Sequence, residues 1–413
     1  MKKVRIGILG GGLRGLSLSE MCKAFGNGEI VAICENSEWA LENCRREISE
    51  RNMEKDIALY TDFNEFLNCD MDAVILENYA TEHAPYAIKC LERGFHVMSD
   101  TSPVQCLKEA VELVEAVEKS GKIYAYGENC CYYPGVNYMR ENYATGKYGK
   151  VLYAEGEYNH DCETLWPIIT YGDRNHWRNR MYATYYCTHS LGPLIYMTNE
   201  KPDTVVGFEL PPSPRLLDLG ALQGTAGIIM LTTKSGAVFR SLNGNLHKGS
   251  HWFSVFGTEG AAETDRNEKE FRVVYEYNRE KLINTAEPKL NIPEAGEWLT
   301  KHGGIDYIEL YYFIRKIAGH DDGRCIDVYT ALDMWLPGLL AYRSICNGNV
   351  PVKVPDMRNK EEREQYRNDT WCVDPKVAGK NAAPSYSKGN PEIPDSVYEK
   401  VARMCEDYYK DKK

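Results

Sequence analysis

Residues 4–15, with the sequence VRIGILGGGLRG, join an apolar strand to a glycine-rich turn. A helical stretch, a second apolar strand and an acidic residue follow in that order. Gly10 suits a tight turn from strand to helix, Gly12 lets a pyrophosphate approach the backbone at a helix N-terminus, and Gly15 permits close helix–strand packing. The order of these features predicts a dinucleotide-binding βαβ unit.

The acidic residue is Glu35, which closes the second strand about 20 residues after the glycines. At that place a carboxylate can accept hydrogen bonds from both ribose hydroxyls of NAD. No arginine stands directly after Glu35 to meet a 2′-phosphate. NAD is therefore favoured over NADP, and a glycine turn with a purely structural role is the alternative.

The composition limits the classes of function. With 413 residues, of which 43% are hydrophobic, the chain is long enough for two domains with proper cores. The net charge of −11 argues against nucleic acid and anionic membranes as main partners. We expect neither a membrane-spanning segment nor a signal peptide, because no long apolar run occurs and the first apolar stretch leads directly into the glycine turn. The 14 cysteines are scattered without a C-x-x-C pair, which favours reduced thiols and a cytoplasmic protein.

The pattern predicts an α/β plus α+β protein. A first domain, 1–127, alternates short apolar runs with amphipathic stretches, which indicates a Rossmann fold with a doubly wound parallel sheet. Ligands bind beyond the carboxyl ends of such strands, so the residues that follow them are site candidates. They are Asn78 and Tyr79, Asp100 and Thr101, and Glu128 and Asn129.

A second domain, 128–355, is expected to contain a large, open and mostly antiparallel sheet, which could serve as a homo-oligomer interface. Strand-like alternation occurs at 151–158, 204–210, 226–233, 237–242 and 251–256. A helix is predicted over 327–346, with Pro337 marking a kink or break. We expect 356–413 to be a C-terminal extension over the surface, with a short helix at 396–409.

The glycine turn, Glu35 and the segment Glu82-His83-Ala84-Pro85 resemble the superfamily of glucose–fructose oxidoreductase and inositol dehydrogenase, Gfo/Idh/MocA. Most sugar dehydrogenases of that superfamily carry Glu-Lys-Pro after the fourth strand. Here the stretch is Asp100-Thr101-Ser102-Pro103, without a lysine. Further motifs resemble the NAD-dependent glycosidases typified by bacterial α-N-acetylgalactosaminidases, which also lack the lysine. These motifs lie at 128–132, 155–161, 177–178, 186–193, 257–260 and 302–307.

The resemblance implies two sets of site residues. The cofactor set comprises Gly10, Gly12, Leu13, Arg14, Gly15, Glu35, Asn78, Tyr79, Thr81, His83, Asp100, Thr101, Asn129 and Trp177. The sugar set comprises Tyr158, Arg178, Tyr186, Cys187, Thr188 and His189.

The sequence departs from that family at four points, which leaves the substrate open. The family has a proline at the position of Cys187 and a glycine at that of Ser190, and the loop between Arg178 and Tyr186 looks shorter. A tyrosine that the family places on the sugar has no clear match between Asn243 and His251.

The chemistry of that branch differs from ordinary glycoside hydrolysis, which needs two carboxylates at set separations. Transient oxidation of the sugar, conventionally at C3, gives a ketone that acidifies the neighbouring C2–H. A base removes that proton, the aglycone leaves C1, water adds, and the ketone is reduced again. This route needs one base for the hydroxyl proton and a second group for C2.

His189 and Tyr186, three residues apart, are the candidates for the hydroxyl proton, because histidine titrates near working pH. Tyr158 is the candidate for C2 or for the leaving group. Glu128 would orient the cofactor or the sugar, with an ion pair to an arginine as the alternative. For each of these residues, a packing role is the competing interpretation.

Other readings remain open at this point. His160, Asp161, Cys162, Cys187 and His189 are residue types that bind metals, but their spacing matches no closed site, so no metal is expected. His302 to Gly304 predict the start of a helix, with Asp306 or Tyr307 reaching inward. The leading hypothesis is an NAD-dependent glycosidase acting on a small glycoside. A sugar or glycoside 3-dehydrogenase and a non-catalytic NAD-binding protein are the rivals.

Overall fold

The computed structural model describes residues 3–22, 27–50, 56–266, 272–289, 292 and 304–410. The chain forms two units. The first comprises Met1–Tyr133, Lys289–Leu332 and Met357–Asn368, and the second Pro134–Pro288, Asp333–Asp356 and Asp369–Lys413. The domain boundaries after 127 and 355 stay predictions. None of the helices in the described ranges is long and apolar enough to span a membrane.

The first unit contains a six-stranded parallel sheet in the order β3-β2-β1-β4-β5-β6. This confirms the predicted doubly wound sheet. Ile6 and Ile8 are fully buried, since both faces of a parallel sheet are covered. The strands are β1 (Val4–Leu9), β2 (Gly28–Cys34), β3 (Ala58–Tyr60), β4 (Ala73–Leu76), β5 (His96–Asp100) and β6 (Tyr124–Gly127).

The helices of the first unit connect these strands or come from the later segments of the chain. α5 is one of the amphipathic stretches expected in the first domain, and it ends at Gly121, a residue in the left-handed conformation that suits glycine. The helices are α1 (Leu13–Cys22), α2 (Glu38–Glu50), α3 (Phe63–Phe66), α4 (His83–Arg93), α5 (Leu107–Ser120), α10 (Ile305–Ile317) and α12 (Lys360–Glu364), with 3-10 turns at Ala80–Glu82 and Asn129–Tyr132.

The second unit contains a nine-stranded sheet in the order β14-β13-β12-β11-β7-β10-β9-β8-β15. All neighbours are antiparallel except β7 and β10, which confirms the expected large, mostly antiparallel sheet. The strands are β7 (Val151–Asn159), β8 (Pro202–Glu209), β9 (Ala226–Thr233), β10 (Val238–Gly244), β11 (Ser250–Gly257), β12 (Ala261–Thr264), β13 (Val274–Asn278), β14 (Lys281–Ala286) and β15 (Val352–Lys353).

One face of this sheet packs on α8. A Cβ at Gly156 of β7 would lie 1.8 Å from the carbonyl oxygen of Ser190 in α8, so only glycine allows this approach. The helices are α6 (Pro134–Ala144), α7 (Trp166–Thr170), α8 (Thr188–Thr198), α9 (Pro214–Leu217), α11 (Val328–Cys346), α13 (Pro375–Ala378) and α14 (Asp395–Lys410), with 3-10 turns at Trp177–Arg180 and Gly379–Asn381.

Two features of the later chain bear on the predictions. α11 begins one residue from the predicted start at Asp327 and continues through Pro337, so of the predicted kink or break, a break does not occur. α14 confirms the helix expected near the C-terminus. All 14 cysteines are free thiols.

Candidate functional site

The glycine turn has the shape that a pyrophosphate needs. Gly10 has φ +105°, and a Cβ there would lie 2.5 Å from the backbone of Glu77. A Cβ at Gly15 would lie 2.0 Å from the Gly10 carbonyl oxygen, whereas a Cβ at Gly12 would meet no atom within 4 Å. Gly10 and Gly15 therefore build the turn, and Gly12 leaves its backbone open to a ligand.

Glu35 is fixed beside this turn because β1 and β2 pair in register, with Leu9 opposite Cys34. The Gly11 N–H donates to Glu35 Oε2 at 2.9 Å, and the Ser37 N–H donates to Oε1 at 3.0 Å. A carboxylate has further acceptor capacity on each oxygen. The turn and the carboxylate thus fit the phosphates and a ribose of NAD, which Gly10, Gly12, Gly15 and Glu35 would hold.

His83 ties together the loops after β4 and β5. Its Nδ1 lies 2.9 Å from the carbonyl oxygens of Asp100 and Ser102, and its Nε2 lies 3.1 Å from that of Asn78. The side chain is buried, and burial lowers its pKa although the surrounding carbonyls and Asp100 act in the other direction. His83 therefore positions two predicted cofactor residues, Asn78 and Asp100.

Arg14, at the start of α1, meets carboxylates from three further segments of the first unit. Its Nη1 lies 2.6 Å from Asp306 Oδ2, and its Nη2 donates to Glu309 Oε1 at 3.1 Å. Its Nε donates to Asp100 Oδ2 at 3.2 Å and lies 3.7 Å from Glu77 Oε2. We call these five residues the Arg14 cluster.

The two glutamates of the Arg14 cluster are the most deeply buried. The side chains of Glu77 and Glu309 are each 2% exposed. Burial raises the pKa of both carboxyls well above the usual range, and the neighbouring Asp100 adds to the effect. Burial alone would lower the pKa of Arg14, but the carboxylates raise it well above the usual range.

The remaining candidates of the first unit lie around this cluster or on its loops. Asn129 Nδ2 donates to Asp306 Oδ1 at 2.9 Å, and the Thr101 N–H donates to Asp100 Oδ1 at 2.8 Å. Buried Glu128 accepts the Cys130 N–H at 3.3 Å. Other placements are a half-exposed Tyr79, a partly buried Thr81, and Leu13 at the start of α1, whose side chain lies outside the described part.

Tyr158 in the second unit is surrounded by three imidazoles. Its hydroxyl lies 3.0 Å from His160 Nδ1, a hydrogen-bond distance. Its ring centroid is 4.4 Å from that of His189 and 4.9 Å from that of His251. We call Tyr158, His160, His189 and His251 the Tyr158 cluster; all four are partly exposed.

The strand pattern explains this cluster. Gly156 and Tyr158 are two residues apart on β7, so both face α8, which carries His189. The antiparallel register of β7 and β11 places His251 opposite Tyr158. Tyr158 can exchange its proton with the imidazole of His160. The fold places the imidazoles of His189 and His251 next to the same tyrosine.

Tyr186 and Arg178 extend this arrangement. The Tyr186 ring is stacked on His189, with centroids 5.6 Å apart and 10° between the planes. Arg178 Nη1 donates to the Tyr186 hydroxyl at 2.7 Å, and its guanidinium lies 4.4 Å from the ring centroid of Trp177. Burial alone would lower the pKa of Arg178, but Tyr186 raises it above the usual range.

Cys187 and Thr188 are fully buried. The Cys187 thiol donates to the carbonyl oxygen of Met334 in α11 at 3.4 Å, and a Cβ at Gly338 would lie 2.6 Å from that thiol. Ser190, where the family has glycine, donates to the Cys187 carbonyl oxygen at 3.0 Å. These side chains fix α8 against its neighbours.

The acids next to the Tyr158 cluster are engaged by an arginine. Arg215 lies 2.6 Å from Asp161 and 2.8 Å from Glu163, and His247 lies 3.4 Å from Asp161. Burial raises the pKa of the Cys162 thiol to about 11. Asp161 is therefore part of an ion pair with Arg215.

Sequence reasoning missed three of these residues. Glu77 follows β4 directly, a position that marks ligand-binding residues, yet only Asn78 and Tyr79 were singled out there. Glu309 lies one helical turn after Asp306, the residue that the sequence predicts to reach inward from this helix. His251 had no signal apart from its place on a strand. His302 and Gly303 lie outside the described residues, and Gly304 precedes α10 with φ +79°.

Known proteins similar to this chain agree with the fold of its first unit. Residues 4–128 match the model of an oxidoreductase family with an NAD-binding Rossmann fold. The matched residues fall within the segment Met1–Tyr133 of the first unit. The match confirms the predicted cofactor and the resemblance to Gfo/Idh/MocA proteins.

Two curated relatives match over most of their length. A glycosyl hydrolase family 109 protein of Bacteroides thetaiotaomicron is 24% identical, with 86% of this chain and 85% of that protein covered. One from Saccharopolyspora erythraea is 26% identical, with 86% and 83% covered. An inositol dehydrogenase homologue from Azotobacter vinelandii, solved with NADH and myo-inositol, shares the fold with a TM-score of 0.69 and 14% identity over 85% of this chain and 98% of that one.

Proposed function

We propose that this chain is an NAD-dependent enzyme that hydrolyses glycosides by transient oxidation of the sugar. The observation that carries the proposal is the Tyr158 cluster, in which a phenol and three imidazoles adjoin one another. Phenols and imidazoles are groups that enzymes use for proton transfer. The relatives named as glycosyl hydrolases support the same reaction class.

NAD, when bound, accepts a hydride from a sugar carbinol and later returns it. Everything else in the reaction is proton transfer and bond breaking at the sugar. His189 takes the hydroxyl proton as the carbinol becomes a ketone. Its imidazole is held by the stacked ring of Tyr186, which Arg178 in turn positions through its hydrogen bond.

Tyr158 acts on C2. The ketone makes the C2–H acidic, the phenol oxygen removes that proton, and the electron pair forms a C1=C2 bond as the C1–O bond to the aglycone breaks. The 3.0 Å contact with His160 gives the phenol a partner that accepts its proton beforehand. Water then adds across C1=C2, and reduction of the ketone restores the sugar.

A different observation favours a net sugar dehydrogenase. The solved inositol dehydrogenase homologue has the same fold, and the first oxidation needs the same groups. Such an enzyme would stop at the ketone and release NADH. The two reactions differ in the fate of the aglycone and of the cofactor.

The test incubates the purified protein with p-nitrophenyl α- and β-glycosides, first without and then with added NAD. Nitrophenol and NADH are followed together. We expect nitrophenol release without net NADH, and no nitrophenol release from His189→Ala. NADH accumulation without nitrophenol would identify a dehydrogenase. If NAD binds but no glycoside of the panel yields nitrophenol or NADH, the proposal is contradicted.

A further inference from the structure

The Arg14 cluster holds more acid than base. One guanidinium faces four carboxyl groups, from β5, α10 and the residue after β4. Glu77 Oε1 and Glu309 Oε2 are buried and have no hydrogen-bond partner among the described residues. A structural ion pair would need one carboxylate, so the surplus of negative charge calls for another explanation.

Protonation does not remove that surplus. Burial raises the pKa of Glu77 and Glu309, so these two carboxyls take up a proton more readily than ordinary glutamates do. Even without the two glutamates, Asp100 and Asp306 each lie directly against Arg14. Two carboxylates against one guanidinium still leave the site negative, and the low exposure of the glutamates weakens screening by water.

The location of the cluster connects this charge to the cofactor. A dinucleotide-binding sheet has two mononucleotide halves, and Glu35 at the end of β2 marks the half that takes the adenosine ribose. Glu77 and Asp100 lie at the carboxyl ends of β4 and β5, in the other half. That half receives the nicotinamide mononucleotide.

We propose that the Arg14 cluster makes this chain bind NAD⁺ in preference to NADH. The two forms share their phosphates and riboses and differ by the positive charge on the nicotinamide ring. A net negative group of fixed charges therefore stabilises the oxidised form selectively. Asp306 and Glu309 of α10 become determinants of cofactor redox state, in addition to holding Arg14. This inference does not depend on the reaction proposed above.

The test measures the dissociation constants of NAD⁺ and NADH by calorimetry and by NADH fluorescence on the full chain. Asp306→Asn and Asp100→Asn each remove one negative charge with little change of shape. We expect each to raise the ratio Kd(NAD⁺)/Kd(NADH) about three- to tenfold. Glu309→Gln should change the ratio less, because that carboxyl holds a proton more readily.

Two controls separate charge from geometry. Arg14→Lys keeps the positive charge but loses the planar fork, so it can weaken both affinities while leaving the ratio unchanged. Glu118→Gln breaks the Arg363–Glu118 ion pair of α12 and α5 in the same unit, and should also leave the ratio unchanged.

Equal weakening of NAD⁺ and NADH by both aspartate variants would overturn the proposal, since a purely structural role predicts that result. A fall in the ratio would overturn it as well. If circular dichroism shows that the variants do not fold, the wild-type protein decides: tighter binding of NAD⁺ supports the proposal, and tighter binding of NADH refutes it.

Discussion

The Arg14 cluster and the Tyr158 cluster use opposite chemistry. The first collects charges: one guanidinium and four carboxyl groups, with Glu77 and Glu309 almost fully buried. The second collects weak acids and bases on partly exposed rings. Fixed charge suits selective binding, whereas phenols and imidazoles suit proton transfer. In the two proposals above, each cluster carries one of these tasks, so variants can alter one cluster at a time.

Gly156→Ala would disturb the Tyr158 cluster by changing the packing of β7 on α8. The new Cβ would lie 1.8 Å from the Ser190 carbonyl oxygen, and backbone must move to make room. We expect the free energy of unfolding to fall by about 3 kcal/mol. Denaturant titration measures the loss. A variant as stable as the wild type would show that β7 and α8 do not approach as described.

His176 gives the second unit a dependence on pH. Burial and the neighbouring Arg178 lower its pKa to about 3, so the folded protein rejects a proton that the unfolded chain accepts near pH 6.5. Stability contributed by His176 is complete at neutral pH and is lost as pH falls toward 3, by roughly 1.4 kcal/mol per pH unit.

The matched variant is His176→Asn, which keeps a side-chain acceptor for the Arg178 N–H that His176 caps. Urea titrations from pH 7 to pH 4 should show a shallower loss of stability in His176→Asn than in the wild type. If the free energy of unfolding falls equally with pH in His176→Asn and in the wild type, His176 does not cause the pH dependence.

Gly12→Ala tests the first unit without disturbing its fold. A Cβ at this position meets no atom within 4 Å, so we expect the free energy of unfolding to change by less than about 1 kcal/mol. The methyl group would, however, occupy the surface that a pyrophosphate approaches, and NAD⁺ affinity should fall about tenfold. Unchanged affinity by calorimetry would place the phosphates elsewhere.

Local patterns predicted much of the fold. β9 begins and ends where the alternation of apolar residues indicated, because a strand with one buried face needs that alternation. β12, β13 and β14 were not predicted. β14 is largely exposed, so its sequence carries no burial signal and only its pairing with β13 makes it a strand.

The contacts of the candidate site also fall into local ones, which the sequence predicts, and long-range ones, which it does not. Tyr186 and His189 are close in sequence, and one turn of chain brings their rings together as predicted. His251 meets Tyr158 through strand register, and Glu309 meets Arg14 across 295 positions. Such contacts depend on the completed sheet and on the docking of α10, which periodicity does not encode.

In the proposed reaction, Tyr158 transfers a proton and does not hold the cofactor. Tyr158→Phe removes only the hydroxyl, and Tyr171→Phe does the same at an exposed tyrosine of the second unit. The decisive measurement is kcat for glycoside cleavage together with Kd for NAD⁺ in both variants. We predict that Tyr158→Phe lowers kcat about 10²- to 10⁴-fold with Kd within about twofold, while Tyr171→Phe resembles the wild type. Wild-type kcat in Tyr158→Phe, or a loss of NAD⁺ binding that accounts for its defect, would contradict the account.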